Sequence, residues 1–243
     1  MTTLLSAKEI KVALSSNVSY AIEALKKEFN SLYPDIKVQA ILGSSGKLTA
    51  QIKNEAPYHI FMSADMKYPD ALFEKGIAVT KPVVYAQGTL AYLSGKKQDF
   101  TKKMHLLESN KIDKIAIANP KIAPYGKAAV QAMQNAGVYE SVKDKLVFSE
   151  SISGTLSFVI IAADIGFIAK SSLYSSKMSH FKKGINWVDV DAKLYTPINQ
   201  GIVVLKNGEA DSDVYKFYDF ILSQKAKKIF RDFGYLVPKN SEF

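Results

Sequence analysis

Three observations predict an α/β architecture in two lobes. Short β-branched runs alternate with helical apolar stripes along the whole chain, the pattern of parallel-rich sheets covered by helices. Two extended, glycine-bearing stretches, VVYAQGTL (83–90) and YTPINQGIV (195–203), read as crossings between lobes. The chain has 243 residues, 47% of them hydrophobic, which is enough to bury two cores of ordinary size. Each lobe is therefore expected to be a mixed, mostly parallel sheet flanked by helices, with two crossover strands between them.

The elements follow in order. A first strand is expected at Ile10–Leu14. The helix after it carries one apolar stripe, Val18, Ile22, Leu25, Phe29 and Leu32, with Glu23, Lys26, Lys27 and Glu28 on the other face. Next come a strand at Ile36–Leu42, a helix through Leu48 and Ile52, a strand at His59–Ala64 and a helix ending near Gly76. Past the first crossing lie strands at Thr89–Ser94, Ile115–Asn119, Leu146–Ser149, Ile165–Ala169 and Ile185–Val190. Helices at Lys127–Ala136 and up to Ala163 separate some of them. After the second crossing come a strand at Gly201–Leu205 and a helical segment carrying Val214, Phe217, Phe220, Ile221, Ile229 and Phe230. Two crossings build the first lobe from both ends of the chain, residues 1–86 and 196–243, and leave 87–195 for the second. A cleft between lobes is then the default ligand site.

Composition removes several chemistries. The absence of cysteine excludes disulfides, thiolate zinc sites, iron–sulfur clusters and a cysteine nucleophile. His59, His105 and His180 have no metal-ligand spacing. No GxSxG elbow occurs, and GSSGK at 43–47 has the wrong spacing for a phosphate loop. The net charge is +9, but the lysines are scattered and Arg231 is the only arginine, so a nucleic-acid groove is not expected. No apolar run is long enough for a transmembrane helix. The opening MTTLLSAKEIKVAL is too short and polar for a complete signal peptide, which leaves a cytoplasmic chain or one whose leader has been removed.

Four helix starts share small polar residues, three of them with an adjacent glycine: Ser15-Ser16-Asn17, Gly43-Ser44-Ser45-Gly46, Pro124-Tyr125-Gly126 and Ser151-Ile152-Ser153-Gly154. Free N–H groups at helix N-termini, with the helix dipole behind them, bind anions. Any one of these starts could equally be a plain cap. Two come from each expected lobe, so they can face one another across the cleft. Asp65 follows a strand and is expected to cap the helix behind it.

At these residues the chain resembles the periplasmic molybdate-binding proteins of ABC importers, the ModA type. The resemblance rests on GSSGKLTAQIKNEAPYHIFMSADMKYPDALFEKG (43–76), NPKIAPYGKAAVQAM (119–133), ADIGFIAKSSL (163–173) and VYKFYDFILSQKAKKIFRDFGY (214–235), in order from Ile10 to Tyr235. It implies a two-lobed solute-binding fold of type II and a tetrahedral oxyanion, molybdate or tungstate, held by neutral donors. By motif, the ligand-binding positions are Ser16 and Asn17, Ser45, the backbone N–H of Tyr125, and Ser153 as the backbone donor of the fourth start. The best-known members add a tyrosine hydroxyl where this chain has Ala169.

The resemblance further implies no catalysis, no cofactor, no cation site, a membrane permease as partner and a monomer. The expected location is the periplasm with the leader removed, or an extracytoplasmic lipid anchor. Three rival readings stand beside it: a receptor for another oxyanion such as sulfate, a cytoplasmic oxyanion-sensing module, and an enzyme on this fold, for which the sequence offers no credible acid–base or nucleophile set. The second needs a DNA-binding segment, and no basic helix–turn–helix precedes Ile10 or follows Tyr235.

Overall fold

The structure, a computed structural model, describes residues 9–237. The opening residues weighed as a leader, 1–8, lie outside it. Ten strands form two five-stranded sheets. The first contains β1 (Glu9–Ser15), β2 (Lys37–Gly43), β3 (Ile60–Met62), β4 (Val83–Gly88) and β10 (Ile198–Val204), in the order β2-β1-β3-β10-β4. The second contains β5 (Leu90–Leu93), β6 (Ile115–Ala118), β7 (Leu146–Ser149), β8 (Ile165–Ala169) and β9 (Trp187–Asp189), in the order β7-β6-β8-β5-β9. Both sheets follow one plan. The three strands β2-β1-β3, or β7-β6-β8, run parallel, and the next one, β10 or β5, is antiparallel to both its neighbours.

The two crossings are a pair of strands. β4 and β10 lie side by side, with Ile198 opposite Gly88 and Ile202 opposite Val83. The stretch 83–90, read as a connection, thus also supplies an edge strand. Its ladder slips between Gln200 and Gly201, leaving Tyr85 with no residue opposite it. Such irregularities bend a strand and re-aim a side chain.

Period-two alternation sends each strand's side chains to two different cores. Ile10, Val12 and Leu14 of β1 join the helices α1 (Ile22–Leu32), α7 (Ser212–Leu222) and α8 (Gln224–Asp232), while Ala13 faces α2 (Ser45–Lys53) and α3 (Lys67–Glu74). Phe29, Phe217 and Phe230 are fully buried in the first of these cores, each contributing about 1.5–3 kcal/mol. In the second sheet, Ile115 and Ile117 meet α4 (Pro124–Asn135) and α5 (Tyr139–Val142), and Ala116 meets α6 (Ile152–Ile161). The helix expected from Val18 begins differently. A 3-10 turn covers Ser16–Tyr20, and α1 starts at Ile22. Among the described residues no helix is long and apolar enough to cross a membrane.

This plan positions the site. β1, β2, β6 and β7 each end in a short polar turn that opens a helix. Parallel strands deliver those turns to one edge of their sheet, where ligands bind in open α/β folds.

Candidate functional site

The four turns meet in one small recess. Its lining is Ser15, Ser16, Asn17, Gly43, Ser44, Ser45 and Ala64 from the first-sheet side, and Ala123, Pro124, Tyr125 and Ile152 from the second. None of these carries a charge. Ser16, Asn17, Ser45 and Tyr125, expected from sequence, are brought together here and are all buried. Ser153 is not in the lining; its hydroxyl lies 3.2 Å from the Ser151 Oγ, and Ile152 occupies the wall instead. Ile152 is the first residue of α6, so its N–H has no partner inside the helix. The signal that could have found it is position rather than chemistry. Ser151 is the cap, its Oγ accepting from the Gly154 N–H at 3.2 Å, and the residue after a cap exposes its amide whatever its side chain.

The other starts behave similarly. α4 opens with Pro124, which has no N–H to lose, so Tyr125 offers the first amide. The close packing of this turn demands Gly126: a Cβ there would lie 1.9 Å from the Ala118 carbonyl oxygen. In α2, Gly46 N–H already donates to Ile122 O (2.9 Å) and Leu48 N–H to Ser44 O (3.0 Å), leaving Ser45 and Lys47 in the first turn. Ser44 is the N-cap residue, yet its hydroxyl makes no cap bond; it is buried without a partner. Buried hydroxyls are nearly always paired, so this one is available to a ligand.

Ser15 and Ser45 form a pair. Their Oγ atoms are 2.5 Å apart, and both accept from the Ala64 N–H, at 3.0 and 2.9 Å. Two hydroxyls own two protons. One is shared between them, and the other is not used within the pair.

Behind the recess lies a polar network drawn from both sheets. Asn17 Nδ2 donates to Gln200 Oε1 (2.9 Å) and to the Tyr235 hydroxyl (3.1 Å). Tyr85 donates to Gln200 Oε1 (2.8 Å), and Gln200 Nε2 donates to the Tyr125 hydroxyl (3.1 Å). The Asn17 carbonyl accepts from Tyr235 (2.7 Å) and from the Ser171 hydroxyl (3.0 Å). Burial pushes the Tyr85, Tyr125 and Tyr235 hydroxyls up from their ordinary pKa, so they stay protonated and neutral. Ala169 is buried at the end of β8 and does not line the recess; the Tyr235 hydroxyl, also outside the lining, donates to the Asn17 carbonyl.

The nearby carboxylate, Asp65, lies outside the lining. Its Oδ1 accepts from the Ser63 hydroxyl (3.2 Å) and from the Tyr68 N–H (3.3 Å), the capping role expected for it, and burial raises its pKa. Among the described residues no cluster of three His, Cys, Asp or Glu could hold a metal ion. The two sides are also tied across the recess by Gly46 N–H to Ile122 O and by an ion pair, Lys47 Nζ to Glu150 Oε1 at 2.8 Å.

Comparison with known proteins gives the family. The family model of bacterial extracellular solute-binding proteins matches residues 10–236. The molybdate-binding protein ModA of Rhodobacter capsulatus is 34% identical over 95% of this chain and 89% of its own length. That of Azotobacter vinelandii is 33% identical over 94% of this chain and 90% of its own. The solved periplasmic molybdate-binding protein of A. vinelandii superposes with a TM-score of 0.86 at 31% identity, covering 95% of this chain and all of that one. The chain belongs to the bacterial extracellular solute-binding protein family, on its ModA-type branch.

Proposed function

We propose that this solute-binding protein captures molybdate, or the similarly sized tungstate, outside the cytoplasm and delivers it to the permease of an ABC importer. The observation that carries the reading is the uncharged recess in which serine hydroxyls on the first-sheet side meet helix-start main chain on the second. A fully deprotonated oxyanion presents only acceptors. Taking such an ion from water is costly unless donors replace its hydration. Hydrogen bonds to a charged group contribute roughly 1.5–3 kcal/mol each, so several together offset that cost without a counter-charge. The donors we assign are the Ser16 hydroxyl, Asn17, the Ser44 and Ser45 hydroxyls, and the amides of Tyr125 and Ile152; the nearby Ser153 amide is a further candidate.

Sulfate has the same charge and shape but shorter bonds. A recess set for the larger ion loses contact with it, so size discriminates where charge does not. In this reading the oxyanion is cargo: no cofactor takes part and no bond is made or broken. The moving bodies are 1–86 with 196–243 on one side and 87–195 on the other, hinged at β4 and β10. The anion favours closure because it gains donors from both. The protein acts as a monomer in the periplasm or at the outer face of the membrane.

Calorimetric titration against molybdate, tungstate, sulfate and phosphate tests this. Tight binding of the first two, with sulfate and phosphate weaker by at least a hundredfold, is expected. Sulfate binding as tight as molybdate would replace the reading with that of a sulfate receptor.

A further inference from the structure

The buried network behind the recess is oriented the wrong way for an anion. Both donors of the Asn17 amide are spent on Gln200 and Tyr235, while Asn17 Oδ1, an acceptor, is buried without a partner in a residue that lines the recess. Tyr125 meanwhile accepts from Gln200 Nε2, leaving its own proton without a partner in this network.

Turning both amides end for end repairs each fault with almost no movement. Gln200 Nε2 then stands where Oε1 was, 2.9 Å from Asn17 and 2.8 Å from the Tyr85 hydroxyl, and donates to both. Tyr85 passes its own proton to Ser63 O, 3.4 Å away. Gln200 Oε1 takes the Tyr125 proton across the same 3.1 Å. Asn17 Oδ1 accepts from Gln200 and, across 3.1 Å, from Tyr235, whose proton turns away from the Asn17 carbonyl and leaves that oxygen to Ser171, and Nδ2 replaces the orphaned acceptor on the recess side.

We propose that Gln200 is a positioning residue for the oxyanion, and that binding reverses the Asn17 and Gln200 amides together so that Asn17 becomes a donor to the ligand. This rests on the oxyanion reading above. Gln200 lies on β10 and Tyr85 on β4, the two crossing strands, and Tyr125 opens α4 beside the second sheet. The reversal therefore links the anion to the hinge and to the opposite wall. Gly88 is part of the device, since a Cβ there would lie 2.0 Å from the Tyr125 hydroxyl and 2.6 Å from Gln200 Nε2.

The test is a double-mutant cycle on molybdate affinity in the full chain. Asn17→Ala and Gln200→Leu should each weaken binding about tenfold. The double variant should lose about tenfold as well, because Gln200 acts only through Asn17. A hundredfold loss in the double variant, or unchanged affinity in Gln200→Leu, overturns the proposal while leaving the oxyanion reading intact. Absence of molybdate binding by the unaltered protein sinks the reading itself. Should the variants not fold, side-chain amide NMR of the unaltered protein decides. The Asn17 and Gln200 NH2 signals must shift together on adding molybdate, and signals that stay in place overturn the reversal.

Discussion

On the first-sheet side of the recess stand five polar side chains, Ser15, Ser16, Asn17, Ser44 and Ser45. On the other side stand Ala123, Pro124, Tyr125 and Ile152, whose polar contribution to the recess is backbone, because the Tyr125 hydroxyl is turned to Gln200. The same physical need, donors for an anion, is met by side chains on one wall and by main chain on the other. A side-chain wall can be weakened by truncation, one atom at a time. A main-chain wall tolerates almost any side chain and yields only to changes that remove an N–H or shift a helix start.

The largest effect should come from attacking the main-chain wall at Ile152. Proline is accepted at the first helical position, as Pro124 already demonstrates in α4, and Ser151 before it has the extended backbone that a following proline requires. Ile152→Pro therefore deletes one N–H and spares the helix. Molybdate affinity should fall at least tenfold by calorimetry, the weight of one bond to a charged group. Ile152→Val keeps the amide and should stay within about twofold. Equal losses in the two variants would mean that the isoleucine side chain matters and the contrast between the walls is false.

Ser45→Ala attacks the other wall. It removes one hydroxyl of the Ser15–Ser45 pair, but the Ala64 N–H keeps Ser15 Oγ as acceptor, so the fold should survive. About a tenfold loss of affinity is expected, with the thermal midpoint of the ligand-free protein little changed. A midpoint drop with unaltered affinity would reassign the serine to structure alone.

The same contrast explains what could be read from sequence. The apolar stripes and β-branched runs made nine strands and most of the helices legible, because burial acts through side chains; the short α5 was not read, and α7 and α8 read as one segment. Ser16, Asn17 and Ser45 were legible because hydroxyls and amides at helix starts are chemically marked. Ile152 was not, because a backbone donor leaves no trace in residue type; the motif pointed to the neighbouring backbone donor, Ser153, and the recess adds Ile152 to its wall. The strand Val83–Gly88 read as a connection because its pairing partner, β10, lies more than a hundred residues away. Gln200 was invisible for a similar reason: its partners Asn17, Tyr85 and Tyr125 are gathered only by the crossing strands.

Gly46 sits where the walls touch. A Cβ added there would lie 2.8 Å from the Tyr68 hydroxyl and 3.0 Å from Ile122 Cα, the second being main chain of the opposite wall. Gly46→Ala should resist closure while favouring the helix in an open form. Overpacking of this kind supports about a fivefold loss of molybdate affinity, with ligand-free stability held or slightly raised. Loss of ligand-free stability instead would place the clash within the first-sheet wall, at Tyr68, and not between the walls.

The smallest effect is expected where formal charge alone crosses the recess. Lys47 and Glu150 pair at 2.8 Å, but both side chains are about half exposed. Exposed pairs contribute about 0–1 kcal/mol, and salt at physiological strength screens them further. Lys47→Ala should therefore change molybdate affinity by less than about twofold, and the difference should vanish in high salt. The lysine amide, in the first turn of α2, is retained in this variant, so only the ammonium is tested. A loss above fivefold that persists in high salt would mean that a cation grips the ligand, and neutral donors on two unlike walls would no longer account for binding.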